Sequence, residues 1–358
     1  MSMTVAEKLR TAIFEKRDRC LLVAELSANH NQNIERAEAS VRAAAAAGAD
    51  AVKLQTYTAD TLTIPCDNEY FRIKGTLWEG CTLHDLYQEA YTPWEWHPRL
   101  MALANELGMV CFSTPFDATA VDFLENLNVP CHKVASFEVV DIPLLKKIAS
   151  TGKPVIMSTG MATLAEIDEA VRILRGNGTK DLVLLKCTSS YPAPPEEANL
   201  RTIPHLAEAF GCPTGLSDHT LGSAVAVAAV ALGATMIEKH FTLSRADGGP
   251  DSAFSMEPEE FTQMARDVRT MQKALGKVNY SLTEKEKENI VFRRSLFVVE
   301  DVRAGELFTE KNVRSIRPGY GLHPRHYEDI LGRKAAQNIA KGTPLSWDLC
   351  GENEMRTN

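Results

Sequence analysis

The sequence predicts an α/β protein, a (β/α)8 TIM barrel followed by a small β-rich C-terminal domain. Three observations support this prediction. Between residues 20 and 276, eight strand-like apolar runs alternate with helix-like stretches, over the roughly 250 residues typical of such a barrel. Polar residues collect at the C-terminal ends of these runs, where barrel enzymes carry their active sites. After Gly276 the chain becomes polar and then changes to short β-like runs.

The predicted strands are short, apolar and evenly spaced along the chain. They cover residues 20–28, 51–57, 109–114, 131–137, 154–159, 182–189, 214–219 and 235–241. Helix start and stop signals lie between them. These signals predict helices from Asn33 to Gly48, from Thr92 to Gly108, after Asp117, from the capping box at Thr163–Glu166 to Gly176, from Gly222 to Gly233 and from Glu257 to Leu275. An open doubly wound sheet is the alternative, but the chain has no Gly-rich first turn, dinucleotide fingerprint or P-loop.

The domain boundaries are predicted where the composition of the chain changes. A barrel domain is predicted over residues 1–276, a polar linker over 277–290 and a small domain over 291–358. So small a domain has a modest core and is expected to dock on another surface. Within the barrel, the connection over residues 58–92 is much longer than the others and is rich in aromatic and charged residues. Long loops on that face of a barrel usually shape a site.

Composition excludes several classes of protein. The formal net charge is −8, which argues against a nucleic-acid partner. The chain lacks an apolar run long enough for a membrane span, and its beginning lacks the apolar segment of a secretion signal. The eight cysteines show no C-x-x-C pair and no framework spacing. A reduced protein of the cytoplasm is therefore expected.

Two histidines occupy matching positions near the ends of predicted strands 7 and 8. His219 ends the run that begins at Gly215, and His240 lies in the run that begins at Ile237. Neighbouring parallel strands direct such side chains into one small volume, and a divalent metal is the simplest reason for the arrangement. The alternative is two separate histidines that each contact a backbone carbonyl. Because no third nitrogen or sulfur ligand is nearby, an open site for Mn²⁺, with Mg²⁺ or Co²⁺ as alternatives, fits better than a closed zinc site.

Two lysines lie inside predicted strands that are otherwise apolar. Lys53 shares one face of strand 2 with Gln55, and Lys133 lies in strand 4. An unpaired ammonium is costly there, so we expect a bound anion as partner, with a neighbouring glutamate as the alternative. Strand-end hydroxyl groups would complete a phosphate or carboxylate cradle. Lys186 and Lys239 are left out because their strand parity is uncertain.

A series of ordered motifs resembles the sialic acid synthase family. The motifs are AELSANHN, KLQTYT, STPFD, KVASFE, STGMAT, KCTSSYP, GLSDHT, IEKHFT and GGPDSAFS. In the tail, RSL, DVRAGE and IRPGYGL resemble the antifreeze-like (SAF) domain of that family. The resemblance covers nearly the whole chain from about residue 20. It implies condensation of phosphoenolpyruvate with an acylamino sugar to give a nonulosonic acid.

Two stretches resemble one branch of this family, the pseudaminic acid branch. They are the insertion FRIKGTLWEG and the sequence DSAFS. The implied sugar is 2,4-diacetamido-2,4,6-trideoxy-L-altrose. A precursor of N-acetylneuraminate or legionaminate is the alternative.

The resemblance also implies roles for individual residues. His219 and His240 would bind the metal, and with Glu25 and Glu138 they would form the catalytic set. The residues implied to hold phosphoenolpyruvate are Lys53, Thr114, Lys133, Ser136, Ser158, Ser217 and Ser189, the last standing where other members have an asparagine that reaches the phosphate. Those implied to contact the sugar are Glu25, Gln55, Tyr191, Asp251 and Arg317. Because Arg317 matches an arginine inserted into the partner subunit's site, a domain-swapped homodimer is implied.

The implied mechanism begins with a metal-polarised sugar aldehyde, which carbon 3 of phosphoenolpyruvate attacks. Water, delivered on the metal or by Glu25 or Glu138, adds to carbon 2, and phosphate leaves by C–O cleavage. A metal-dependent aldolase or isomerase on the same barrel is one rival. It would use the same histidines and carboxylates but would not need phosphoenolpyruvate, and this difference separates the two. A sugar-binding protein without catalysis is the other.

Overall fold

A computed structural model describes residue 13, residues 19–75 and residues 78–351 of the chain. Thr76 and Leu77 of the FRIKGTLWEG insertion lie outside the described residues, as do the ends of the predicted barrel and C-terminal domains. The chain divides after Gly276 into two compact units. Among the described residues, no helix combines the length and the apolar character needed to cross a membrane.

The first unit is a closed barrel of eight parallel strands, which confirms the predicted fold class. Strand β1 is hydrogen-bonded to both β2 and β8, so the sheet has no free edge. The strands are β1 (Leu21–Glu25), β2 (Ala51–Thr56), β3 (Val110–Pro115), β4 (His132–Val134), β5 (Val155–Ser158), β6 (Leu182–Cys187), β7 (Thr214–Asp218) and β8 (Met236–His240). The predicted fourth strand was too long, because Ser136–Val140 form a 3-10 turn instead. That turn carries two of the predicted site residues.

Helices cover the outside of the barrel, apart from two short ones in the long connection that follows β2. They are α1 (Ile34–Ala46), α2 (Ala59–Leu62), α3 (Leu83–Ala90), α4 (His97–Glu106), α5 (Ala118–Asn126), α6 (Ile142–Ser150), α7 (Leu164–Gly176), α8 (Thr202–Phe210), α9 (Ala224–Ala231) and α10 (Pro258–Leu275). The predicted caps are present: Asn33 and Asp117 accept backbone hydrogen bonds, and Thr163 forms a capping box with Glu166. Helix α4 begins later than predicted, at His97, because Trp94–Trp96 form a 3-10 turn.

The interior of the barrel is arranged in two layers of opposite character. The lower layer is apolar and includes Val23, Ala51, Phe112, Ile156 and Met236. Two residues further along each strand, the same inward face becomes polar. Those residues include Glu25, Lys53, Thr114, Lys133, Ser158, Ser217 and Glu238. Because strand side chains alternate with a period of two, both layers follow from the strand parity.

The second unit has its own apolar core, formed in part by Leu296, Val298, Phe308 and Val313. Strands β9 (Ser295–Val298) and β10 (Val313–Ile316) pair antiparallel. Two short helices, α11 (Glu284–Glu288) and α12 (Tyr327–Ile330), complete its regular elements. Helix α11 lies inside the predicted linker, where Thr283 and Glu286 form a capping box that explains it.

Candidate active site

A cavity of about 440 Å³ opens at the C-terminal ends of the barrel strands. It brings together eleven of the residues predicted for the site: Lys53, Gln55, Lys133, Ser136, Glu138, Ser158, Tyr191, Ser217, His219, His240 and Asp251. These residues come from five of the eight strands and from connections that follow strands. A parallel barrel gathers them because all its strands end at one face.

Three buried charged groups meet at the floor of this cavity, of which Lys53 and Glu238 line it and Glu25 lies behind them. The Lys53 ammonium lies 2.8 Å from Glu238 Oε1 and 3.2 Å from Glu25 Oε2. For this lysine, the structure therefore shows the glutamate alternative. Burial lowers the pKa of Lys53, but the two carboxylates more than reverse that effect, so the pKa lies above its usual value. Lys53 is held as a cation.

Lys133 has a different environment. Its ammonium donates hydrogen bonds to Ser158 Oγ at 2.7 Å and to the Val134 carbonyl at 3.2 Å, and it lies 3.7 Å from Glu238 Oε1. Burial lowers its pKa to about 8, partly offset by Glu238. A group with one distant counterion in a buried position would gain from a bound anion. Lys133 is thus the lysine that best fits the predicted cradle.

Two carboxyl groups have pKa values raised towards neutrality. Burial raises the pKa of Glu25 to about 7, opposed by Lys53. Burial also raises the pKa of Glu138 to about 7, opposed by Lys133. Glu238 behaves in the opposite way: burial opposes its ionisation, but Lys133 and Lys53 together lower its pKa to about 2. The floor therefore holds one firm anion, and Glu25 and Glu138 can exchange protons near pH 7.

A small-residue turn closes one side of the cradle. The Gly160 backbone N–H donates to Ser136 Oγ at 3.1 Å. A Cβ at position 160 would lie 2.8 Å from Ser136 Oγ and would also meet Ser189 Oγ. Only glycine fits there without displacing one of these hydroxyl groups.

The two predicted metal-binding histidines lie next to each other in the cavity, with their ring planes tilted by 58°. Their ring centroids are 5.3 Å apart. His219 Nδ1 lies 2.9 Å from the Thr188 carbonyl; this contact fixes the proton on Nδ1 and leaves Nε2 available as a ligand. Burial keeps the pKa of His240 well below its usual value, so its imidazole is neutral, the form that binds metals.

The donor set fits an open site for a divalent cation. His240 Nδ1 is buried without a hydrogen-bond partner, 3.9 Å from Asp251 Oδ2. In the part of the chain that the structure describes, no group of three or more His, Cys, Asp or Glu residues could hold a metal. The pair therefore needs water or substrate oxygens to complete a coordination sphere.

The sugar side of the predicted site joins four chain segments, at the ends of β1, β2, β6 and β8. Gln55 Nε2 donates to Glu25 Oε1 and to Ser27 Oγ, both at 3.0 Å. Ser27 in turn donates to the Asp251 carboxylate. The Tyr191 ring lies 4.4 Å from the His219 ring, between centroids. These contacts place the sugar-binding candidates next to the histidines.

Four predicted residues do not line the cavity. Glu25 is fully buried beside Lys53, its register partner on β2, and Thr114 is buried with an unpartnered hydroxyl. Ser189 lies behind Gly160, 3.8 Å from the Cys187 thiol. Arg317 belongs to the second unit, where it is exposed to solvent. Its predicted place in a partner's site stays a prediction.

Among the cavity residues that the sequence prediction missed are two that bear on the charge of the site, Glu238 and Cys187. Glu238 is the anion shared by both lysines, and it lies two residues before His240, so strand parity would have found it. Cys187 lies 3.9 Å from His219 Nδ1; burial raises its pKa, but His219 lowers it more, to about 6. The same parity explains why Lys186 and Lys239 are not in the cavity. Lys239 is buried outside the barrel, where it pairs with Asp218 at 2.7 Å.

Comparison with known protein families gives two matches. The NeuB family model matches residues 40–280, and the SAF domain model matches residues 293–349. The first match covers most of the barrel and the second covers most of the small unit.

Individual relatives match over most of their length. A pseudaminic acid synthase from Helicobacter pylori is 46% identical over 331 residues, covering 91% of this chain and 96% of that protein. An N,N'-diacetyllegionaminic acid synthase from Campylobacter jejuni is 38% identical over 322 residues, covering 89% and 96%. The crystal structure of an N-acetylneuraminic acid synthetase from Leptospira borgpetersenii superposes with a TM-score of 0.68 at 30% identity, covering 76% of this chain and 91% of that one.

Proposed function

Because the chain belongs to the NeuB family, the sialic acid synthase family predicted from its motifs, we propose that it is a pseudaminic acid synthase. The proposed reaction condenses phosphoenolpyruvate, 2,4-diacetamido-2,4,6-trideoxy-L-altrose and water to pseudaminic acid and phosphate. The observation that carries the proposal is the juxtaposition of a lysine and hydroxyl cradle with two histidines in one cavity. A relative named pseudaminic acid synthase, 46% identical over 91% of this chain, supports the choice of sugar.

The proposed chemistry forms one C–C bond and breaks one C–O bond. Carbon 3 of phosphoenolpyruvate attacks the aldehyde carbon of the open-chain sugar, and water adds to carbon 2. The resulting tetrahedral carbon expels phosphate with its bridging oxygen, and the keto acid cyclises. The oxygen of water therefore enters the sugar acid, and none enters phosphate.

The cradle residues orient phosphoenolpyruvate. Lys133 and Lys53 would hold its phosphate and carboxylate charges, while Ser136, Ser158 and Ser217 supply hydrogen bonds that fix the direction of carbon 3. Glu238 limits the net positive charge of the floor, because it pairs with both lysines.

The carboxyl groups would transfer protons. Glu138 lines the cavity, and its pKa of about 7 lets it remove a proton from the attacking water at neutral pH. Glu25 supports Lys53 and Gln55 from beneath the cavity. Glu138 is therefore our proposed base, and Glu25 a positioning residue.

Enzymes of this family are generally metal-dependent. We propose that His219 and His240 hold a divalent cation, Mn²⁺ first among the candidates, which would polarise the aldehyde oxygen as a Lewis acid. The Thr188 carbonyl fixes the tautomer of His219, and burial keeps His240 neutral.

The eight free cysteines fit the proposed cytoplasmic compartment.

A precursor of N,N'-diacetyllegionaminic acid or N-acetylneuraminic acid is the second candidate substrate. It is favoured by the relative named N,N'-diacetyllegionaminic acid synthase, which is 38% identical and spans 89% of this chain. The two candidates share every step and differ only in the sugar.

The test is phosphate release from phosphoenolpyruvate with Mn²⁺ and a panel of 2,4-diacetamido and 2-acetamido sugars. We expect the highest kcat/KM with the 2,4-diacetamido-2,4,6-trideoxy-L-altrose substrate and, in ¹⁸O-water, no label in phosphate. Label in phosphate would rule out C–O cleavage. If no sugar of the panel leads to phosphate release, the result would favour an aldolase, an isomerase or a binding protein.

The metal assignment has a separate test. His219→Ala is expected to weaken Mn²⁺ binding in calorimetry and to lower turnover by about a thousandfold, in the range of losing a main electrostatic group. His205→Ala is the matched control, because His205 is exposed on α8 and does not line the cavity. Undiminished metal-dependent turnover of His219→Ala would refute the assignment.

A further inference from the structure

The cavity has two chemically different sides. Its floor is charged and buried: Lys133 is 1% exposed and Glu238 is 3% exposed. The opposite side comes from the long β2–α4 connection and is apolar, with Leu62, Ile73 and Leu83 among its lining residues. These three side chains are half-buried, whereas the floor residues are buried. The three therefore lie nearer the mouth of the cavity than its floor. We call these three residues, with Leu86, the apolar wall.

The wall is held in place by contacts within the connection and to the barrel. Ile73 N donates to the Cys81 carbonyl at 3.0 Å, and Leu83 N donates to the Phe71 carbonyl at 2.8 Å. Thr82 caps α3, the helix that carries Leu83 and Leu86. These bonds fix the wall relative to its own segment.

Two aromatic residues of the same connection, Trp78 and Tyr87, make further contacts beside the cavity. The Trp78 indole N–H donates to the Pro250 carbonyl at 2.9 Å, next to Asp251. The Tyr87 and Tyr57 rings meet edge to face, with centroids 5.8 Å apart, and Tyr57 meets Phe116, which follows β3, in the same way at 5.2 Å. These contacts hold the connection that carries the wall beside the rest of the cavity.

We infer that the apolar wall is the specificity-determining subsite for the distal end of the sugar, and that it selects a 6-deoxy sugar with an acylated 4-amino group. The inference rests on the proposed function. The sugar's aldehyde carbon must lie beside the histidines and the cradle, so its far carbons extend towards the mouth. There the 6-methyl group and the methyl of the 4-acetamido group would pack on Ile73, Leu83 and Leu86.

The wall discriminates because it offers few partners for hydroxyl groups. A sugar with free 4- and 6-hydroxyl groups would lose hydrogen bonds to water on entering and gain none from leucine or isoleucine. When two substrates differ by one such apolar group in a hydrophobic pocket, their kcat/KM values differ about 10- to 200-fold. With two apolar contacts, we expect a preference of at least about 100-fold for the trideoxy sugar.

Substitutions of the wall test the inference. The ratio of kcat/KM for 2,4-diacetamido-2,4,6-trideoxy-L-altrose to that for a 2-acetamido-2-deoxyhexose with free 4- and 6-hydroxyl groups is measured for each variant. Ile73→Thr and Leu83→Asn are expected to lower this ratio about tenfold or more, through a higher KM for the trideoxy sugar. The KM for phosphoenolpyruvate should stay within about twofold, since neither residue belongs to the cradle.

Ile64→Thr is the matched control. Ile64 lies in the same connection, is 56% exposed and does not line the cavity. The ratio of kcat/KM for the two sugars in Ile64→Thr should therefore equal that of the unaltered chain. Leu83→Met, which keeps an apolar contact, should retain most of the preference and guards against a folding defect in Leu83→Asn. A ratio within twofold of the unaltered chain in both Ile73→Thr and Leu83→Asn would overturn the inference. Absence of turnover by the unaltered chain would instead overturn the proposed function.

Discussion

Single residues in this protein carry unusual protonation behaviour because the barrel buries them. Lys133 is 1% exposed and its pKa is lowered to about 8, whereas burial raises the pKa of Glu138 to about 7. An anion bound at the cradle would stabilise the cationic form of the lysine. Charge and binding are thus coupled at the level of individual side chains.

Removing the Lys133 charge should weaken phosphoenolpyruvate binding. Lys133→Gln is expected to lower kcat/KM for phosphoenolpyruvate about 10- to 100-fold, because a charge-assisted hydrogen bond contributes about 1.5–3 kcal/mol. Steady-state kinetics with each substrate varied in turn measure the change. Lys146→Gln, on the exposed face of α6, is the control and should have no effect. An unchanged KM and kcat in Lys133→Gln would remove Lys133 from the cradle.

The same two residues predict the pH dependence of kcat/KM. Glu138 acts as a base in its ionised form, so activity falls as the pH drops below about 7. Lys133 acts as a cation, so activity falls as the pH rises above about 8. A bell-shaped profile with its maximum between these values is expected. Glu138→Gln should lose the acid limb and keep the basic one; an acid limb that persists in that variant but disappears in Glu25→Gln would transfer the role of base to Glu25.

At the scale of elements, the turn that follows β5 shapes the cradle. This turn brings Gly160 against the 3-10 turn after β4, where the glycine N–H donates to Ser136 Oγ. The closeness of two strand-end turns leaves no space for a side chain at this position. Neighbouring strands of a closed barrel impose such proximity because their ends converge on one face.

A methyl group at Gly160 should therefore disturb the cradle. Gly160→Ala is expected to raise the KM for phosphoenolpyruvate about tenfold or more, since the new Cβ would lie under 3.0 Å from both Ser136 Oγ and Ser189 Oγ and both hydroxyl groups must move. Gly176→Ala is the control, because a Cβ there, at the end of α7, meets no atom within 4 Å. Equal kinetics for both variants would show that the turn does not shape the phosphate site. Thermal unfolding of both checks that the effect is local.

At the scale of the whole molecule, the chain consists of a barrel and a second unit with a separate core. Arg317 is exposed on the second unit. We propose the domain-swapped homodimer that the sequence resemblance implies, in which this arginine would act in the partner subunit's cavity.

Mixed dimers provide the test. Arg317→Ala and His219→Ala are each expected to lower activity, Arg317→Ala about 10- to 100-fold. Co-expression of the two variants should restore about a quarter of the original activity, because half of the dimers are mixed and each has one intact site. Co-expression of His219→Ala with His240→Ala is the control and should restore none. No recovery in the first mixture, or sedimentation as a monomer, would contradict the exchange of Arg317 between subunits.

The sequence by itself determined the number of strands, the order of the elements and the face that carries the site. These features are recorded locally: apolar periodicity marks the strands, and residues such as Asn33, Asp117 and Thr163 cap helices where predicted. The polar strand ends followed from the same local pattern. Eleven of the residues that this pattern predicted for the site line the cavity.

Only the tertiary structure decided which charged groups meet. It paired Lys53 with Glu25 and Glu238, excluded Lys239 from the cavity, and set an apolar wall from a distant connection opposite the floor. The physical reason is that closure of the barrel joins β1 to β8, residues about 215 positions apart, and thereby sets distances that no local pattern contains. Burial then selects the protonation state of each group, and burial is a property of the closed structure.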